Sequence, residues 1–356
     1  NSVRMPASGE VHQNAGSRVT ATGRLLSYDR YYAGLDYYGV IQGSGDARTI
    51  IPDDGSTYNF APFNYLQRPD KRYNLGGFAS NKINDHVEVY GSAMFMDDRS
   101  IAAVAPSGLF GDIASVPCSS PLLSATQVNY LCTEAGLAAT DNATVAVLRR
   151  IPELGPRLAD LRHTDYRINI GARGEITKGW SYDASVQRGE VIYQSGTLNY
   201  VNVDNAQAAL NTVLDDNGNA VCGPDAPAGC VPLDVFQIGG ITADQADFVR
   251  ANGYAQANLV ERVVLGSVSG DLGEYGITSP FAKEGVGVAL GVEYRTEALD
   301  YRPDALVSAG NLGGTGGPSP GVRGQYQVHE AFGELNLPLV EDLTGVKSLT
   351  VDLAYR

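Results

Sequence analysis

From Val286 onward the chain alternates with a period of two. Val286, Val288, Leu290, Val292 and Tyr294 fall on one side, and Gly287, Ala289, Gly291, Glu293, Arg295 and Glu297 on the other. Successive side chains of a strand point to opposite faces, so one face here is oily and the other is first small, then charged. The alternation lasts about a dozen residues, twice the ~5–6 of an ordinary strand and enough for the ~9–11 tilted residues that cross a bilayer. After the loop 301–324 the chain returns through 325–337, where Pro338 is expected to end the strand. The pair reads as one hairpin of a transmembrane β-barrel.

The same pattern recurs elsewhere. Residues 73–81 and 87–96 read as a hairpin with both faces partly apolar. Tyr166, Ile168, Ile170, Ala172 and Ile176 oppose Arg167, Asn169, Gly171, Arg173 and Glu175. After a turn at 177–179, Trp180, Tyr182, Ala184 and Val186 oppose Ser181, Asp183, Ser185 and Gln187, with the aromatics placed where an interfacial girdle sits. Segments 259–272 and 349–356 continue the series, and 18–27 and 37–42 are weaker strands. The connections alternate in length: short at 83–86, long at 97–163, short at 177–179, long at 192–258, modest at 273–284, long at 301–324, modest at 338–348. Outer-membrane barrels keep short turns on the periplasmic side and long loops outside. Short helices are expected within the long connections, over 125–138 and 142–150. Another is expected from 243 to about 251, where Thr242-Ala243-Asp244-Gln245 has the form of a capping box.

Composition permits this. Mean hydropathy is −0.14, but only alternate residues of a barrel strand need be apolar. No run of 18 apolar residues exists, so a membrane-spanning helix is excluded. Counts of 42 glycines and 20 tyrosines suit tight strand packing and aromatic girdles. With 26 basic against 40 acidic residues the net charge is −14, which argues against a nucleic-acid partner. The cysteines are Cys118, Cys132, Cys222 and Cys230. They allow three pairings, of which the local one closes two short loops, and disulfides would imply an oxidising compartment; four buried free thiols are the alternative. No C-x-x-C occurs and the histidines (His12, His86, His163, His329) are scattered, so no metal is expected.

Other motifs have plainer readings. The run 310–317 lacks the spacing of a phosphate-binding loop and reads as a flexible loop tip. Asp215-Asp216-Asn217-Gly218-Asn219 resembles a calcium loop, but its glycine stands at the fourth place instead of the sixth, so a turn is expected. Arg167, Asn169, Arg173, Glu175, Glu293, Arg295 and Glu297 are assigned to the polar inner wall. There they pair with neighbouring strands or a plugging domain instead of serving catalysis, and no enzyme or cofactor is expected.

An ordered set of segments over 58–356 resembles the barrel region of TonB-dependent outer-membrane receptors. It begins with Tyr58-Asn59-Phe60-Ala61-Pro62-Phe63-Asn64-Tyr65, running on to Arg72-Tyr73. Val87-Glu88-Val89-Tyr90 follows, then Arg149-Arg150 ahead of Tyr166-Arg167, and Cys230-Val231-Pro232-Leu233. Gly291-Val292-Glu293-Tyr294-Arg295 and Glu330-Ala331-Phe332-Gly333-Glu334-Leu335 complete it. The resemblance implies an all-β, antiparallel barrel in the bacterial outer membrane, residues 1–356 forming part of one barrel domain with long extracellular loops. About ten strands are readable, against ~22 in plugged transporters, so the family's N-terminal plug and terminal strands are expected to lie outside this chain. The implied function is active uptake of a scarce bulky ligand, such as a siderophore, cobalamin or an oligosaccharide. Its partners would be the TonB complex acting through the plug, the lipid bilayer and lipopolysaccharide. Tyr58, Tyr65, Tyr130 and Tyr200, in the long connections, are the candidate ligand-stacking residues. A passive porin and a secreted β-rich enzyme or adhesin are the alternatives.

Overall fold

The computed structural model describes Val3–Arg4 and residues 17–356; the polar stretch 1–23, with His12, lies mostly outside the described residues. In chain order the main strands begin with β1 (Arg24–Ser27), β2 (Tyr38–Gln42) and β3 (Thr49–Pro52). Next come β4 (Asp70–Asn84), β5 (Val87–Val104), β6 (Gly108–Pro117) and β7 (Asn142–Arg150). Then follow β8 (Arg157–Thr177), β9 (Trp180–Val201) and β10 (Arg250–Asp271). The last are β11 (Gly287–Pro303), β12 (Val322–Leu343) and β13 (Val346–Tyr355).

The protein is all-β, and its larger sheet is an antiparallel meander of eight strands in the order β4-β5-β8-β9-β10-β11-β12-β13. Each strand pairs with its neighbour in near-continuous register; β9 and β10, for example, match Trp180 with Gly270 and Val201 with Arg250. Eight strands stand where about ten were read, and the edges β4 and β13 are not joined, so among the described residues this sheet is open.

Several boundaries differ from the sequence reading. Pro338 does not end its strand: β12 continues to Leu343, and the register shifts between Pro338 and Val340. A proline lacks the ladder N–H, and a local irregularity absorbs that loss. The long connections are shorter than expected, because β5 runs to Val104 and β8 starts at Arg157. There the alternation is broken by charged residues on both faces, yet the hydrogen-bond ladder carries on.

The connections at the long end fold together. Segment 142–150, expected as a helix, is an interior strand, between β1 and β6, of a second sheet ordered β3-β2-β1-β7-β6. Its β-branched residues Val145 and Val147 pack inward from β7 and are fully buried, a choice that tertiary packing makes over local propensity. The helix expected over 125–138 is α2 (Ala125–Val128), succeeding α1 (Tyr28–Tyr32), and it continues as a π-turn to Thr133. The helices α3 (Val203–Leu210) and α4 (Ala243–Val249) complete the layer, with the capping box of Thr242 and Gln245 in place; α5 (Ala305–Ala309) closes the last long connection. The cysteines form the local pairs Cys118–Cys132 and Cys222–Cys230.

The apolar core lies in this cap. Leu25, Ile41, Leu109, Val116, Leu131, Leu233 and Phe236 belong to one buried cluster, to which the large sheet adds little beyond Val201. The eight-stranded wall instead leaves its large apolar side chains in the open.

Candidate functional site

Register decides which residues of the wall share a face. Ile170 pairs with Val186, Val186 with Val264, and Val264 with Tyr294. One step along, Ala172, Ala184, Gly266, Val292 and Ala331 form the next row; another holds Tyr182, Val268, Leu290 and Gly333. This face is apolar and uncovered: Ile170 is 56% exposed, Leu290 51%, Val292 62% and Leu353 53%. Soluble monomers rarely expose contiguous apolar patches larger than a few hundred Å². On β9 and β10 it ends at the row of Arg188 and Arg262, which continues into Thr296 on β11.

The opposite face is a network of charge. Arg173 grips Glu88 through two hydrogen bonds of 3.1 Å, and Tyr90 donates to Asp183 at 2.5 Å. The Tyr90 ring lies over Gly171, where a Cβ would stand 2.3 Å from its Cζ, so that glycine makes the crossing possible. Gln187 donates to Glu261 at 2.9 Å; Arg295 lies between Glu293 and Glu297, 3.9 and 3.5 Å away; Arg356 bonds Glu293 at 2.9 Å and also Glu330. Arg167, Asn169, Arg173 and Glu175 from β8 and Glu293, Arg295 and Glu297 from β11 all lie on this face, with β9 and β10 between them.

The tyrosines singled out from the sequence sit in or beside the cap. Tyr130 lies under the Arg30 guanidinium, 3.7 Å from the ring centroid, and its hydroxyl donates to the Asp36 carbonyl at 3.2 Å. Tyr58 stacks on Phe63 at 5.9 Å, and Tyr65 is paired with Arg4 across a short two-stranded sheet. Tyr58 and Tyr200 end a ladder that sequence reasoning missed. Arg150 stands 5.0 Å from the Tyr58 ring and 5.2 Å from Phe110, and Arg157 5.5 Å from Phe110 and 5.4 Å from Tyr200. Among the described residues neither arginine forms an ion pair. Arg150 instead donates to the carbonyls of Val19 and Pro106 at 3.1 and 2.7 Å, and Arg157 to Ala105 at 2.8 Å. Burial, reinforced by the charge of Arg157, lowers the Arg150 pKa, and burial raises that of Tyr58. The only advance signal was the pair Arg149-Arg150; adjacent strand residues point to opposite faces. Arg149 accordingly enters the core, donating to the carbonyls of Thr22 and Val235 at 2.7 and 3.1 Å.

The glycine-rich run 310–317 is anchored, not a loose tip. Gly313 donates to the Val201 carbonyl at 2.8 Å and accepts from the buried Ser107 hydroxyl at 2.8 Å. A Cβ there would meet the Gly108 carbonyl oxygen at 2.5 Å. Asp215 behaves as a turn residue, accepting from the amides of Asn217 and Asn219 at 2.9 and 2.7 Å; those bonds, chiefly that from Asn219, hold its pKa below the ordinary carboxylate value. Among the described residues no cluster of His, Cys, Asp and Glu is arranged to hold a metal, and no helix is long and apolar enough to cross a membrane.

The fold and its faces define an all-β protein with an apolar-faced meander and a disulfide-stapled cap over its long-connection end. No protein-family model and no curated protein matches the chain. Among solved structures it is similar to the siderophore receptor PiuA from Acinetobacter baumannii, at 11% identity and a TM-score of 0.33. That match covers 86% of this chain and 38% of the receptor chain, so the present chain spans well under half of its length.

Proposed function

We propose that the eight-stranded sheet is wall of an outer-membrane β-barrel and that the protein is a receptor for active uptake of a scarce, bulky ligand. One observation carries the reading: away from the cap, the exposed side chains Ile170, Val186, Val264, Leu290 and Val292 of β8–β11 share one face, Arg173, Glu293 and Arg295 lie on the other, and the buried core sits at one end. On β8 the apolar side chains run from Ile176 to Ile168, eight steps or about 27 Å at ~3.4 Å per residue. A tilt of ~40° turns this into a height of about 21 Å, near the ~25 Å band of such barrels. In this reading the apolar face meets lipid, the charged face lines the lumen, and the cap stands outside the cell, where its disulfides persist. An open edge would leave backbone groups unpaired in lipid, so in this reading the edges of β4 and β13 are paired in the membrane. Energising of uptake through TonB belongs to the same proposal and rests on the segment resemblance.

Cell fractionation tests it together with gel migration. The protein is expected in the outer-membrane fraction, migrating faster unheated than boiled. Cysteine replacing Val292 should react with a lipid-confined maleimide, and cysteine replacing Glu293 only with a water-soluble one. Recovery in the soluble fraction without detergent would refute the proposal.

A further inference from the structure

The charged face of the wall carries one apolar recess. Met94 and Met96 of β5 and Val191 and Leu259 of β9 and β10 form its floor, in a space of about 500 Å³. That volume lies within the ~300–1,000 Å³ of small-molecule sites, which combine an apolar lining with a few placed polar groups. The depression exists because Gly189 stands between Arg167 and Glu261 in the cross-strand row. A Cβ on Gly189 would meet nothing nearer than the Glu261 Cβ at 4.0 Å, so the glycine leaves space that packing does not require.

Two groups at the rim are unspent. One carboxylate oxygen of Asp165 is buried without a hydrogen-bond partner among the described residues, a state that is destabilising unless a ligand relieves it. Arg167 forms no ion pair among the described residues; its guanidinium reaches only the Met94 sulfur, at 3.2 Å. Almost every other arginine on this face is engaged by a carboxylate. Asp165 and Arg167 are two residues apart on one strand face, so their Cα atoms lie about 7 Å apart at ~3.4 Å per residue.

We infer that this recess is a binding site for a short apolar peptide with free ends, its ammonium held by Asp165, its carboxylate by Arg167 and its side chains on the methionine-lined floor. An extended dipeptide spans about 7 Å, comparable to the Cα separation of the two residues that would hold its ends. A polyanion finds a single unpaired cation here, and a neutral sugar would leave both charges unmatched on an apolar floor. Methionine sulfur and flexible stems suit side chains of varied shape. The inference rests on the proposed receptor reading, because only there does this face line a passage.

The test is calorimetric titration of the detergent-solubilised full chain with the dipeptide Leu-Leu, its N-acetyl form and its C-terminal amide. Leu-Leu is expected to bind saturably, and capping either end to weaken binding at least tenfold. Asp165→Asn should remove the penalty of acetylation alone, and Arg167→Gln that of amidation alone, the signature of pairwise contact. Gly189→Leu should abolish binding with circular dichroism unchanged; if that variant fails to fold, the capped peptides on the two charge variants decide. Absence of saturable Leu-Leu binding, or equal binding of all three peptides, overturns the inference. Membrane fractionation is scored separately, so an outer-membrane protein that ignores peptides refutes the site and leaves the receptor reading standing.

Discussion

Arginine in place of Val292 separates a membrane wall from a soluble sheet. Val292 is 62% exposed and lies beside Gly266 and Ala331 in its row, so the longer side chain meets no packed neighbour. The structural cost of the substitution is therefore near zero, and the whole effect comes from the surrounding solvent. In water an open surface position tolerates such a change within about 0.5 kcal/mol. At the midplane of a bilayer arginine on a barrel's outer face costs ~2–4 kcal/mol, which is a ~30- to ~1,000-fold loss in the folding equilibrium. Thr296 is the depth control. It lies on the same face, two outward positions further toward the cap, and pairs with Arg262, which already places a guanidinium at that level. Thr296→Arg should thus cost less than about 1 kcal/mol. The assay is urea-dependent unfolding of chains inserted into phosphatidylcholine vesicles, followed by tryptophan emission from Trp180 and by the heat-dependent gel shift. Equal stability of the wild type and both variants, or folding of all three without any amphiphile, would show that water bathes this face.

Other expectations concern the cap. Replacing Cys118 and Cys132 by serine opens a loop of 14 residues, and chain entropy assigns this about 3 kcal/mol; protease sensitivity between residues 105 and 156 should rise while the wall keeps its gel shift. Cys222–Cys230 closes only 8 residues and its cysteines are not fully buried, so graded reductant should open it first, as mass spectrometry of alkylated peptides would record. Arg150→Lys keeps the charge but loses the planar fork that donates to Val19, Pro106 and Ser17 and lies between two rings. A loss of about 2 kcal/mol in cap stability is expected by denaturant titration. Burial raises the pKa of Tyr58 and of Tyr130, so each favours the folded state below its unfolded value near 10. The cap should therefore lose stability as pH climbs from about 10 through the raised folded values, with phenolate absorbance appearing late in the folded protein. An ordinary phenol titration in the native state would contradict this.

Much of the wall was legible because strand geometry writes itself into sequence. A side-chain period of two made Val288 through Tyr294, and Ile168 through Ile176, two-faced before any contact was known. The same logic separated Arg167, Arg173, Glu293 and Glu297 onto one face. It failed where local signals conflict with packing. Segment 142–150 carries alanines and arginines that a helix accepts, yet Val145 and Val147 were claimed by the core of the cap. Pro338 looked like a stop, and a register shift absorbed it. For the candidate ligand-stacking tyrosines of the connections, sequence could not show the neighbours: Arg30 covers Tyr130, and Arg150 and Arg157 stack beside Tyr58 and Tyr200.

What the chain determined by itself, then, is the two-sided character of its long strands and the turns that reverse them, since both follow from backbone geometry within a dozen residues. Folding in three dimensions decided the rest: which of the three cysteine pairings forms, that the long connections share one core, and that Met94, Asp165, Gly189 and Leu259 meet around a single recess. Those four residues come from four strands. Only the hydrogen-bond register between strands sets which side chains stand abreast, and a slip of one residue would have put them on opposite faces.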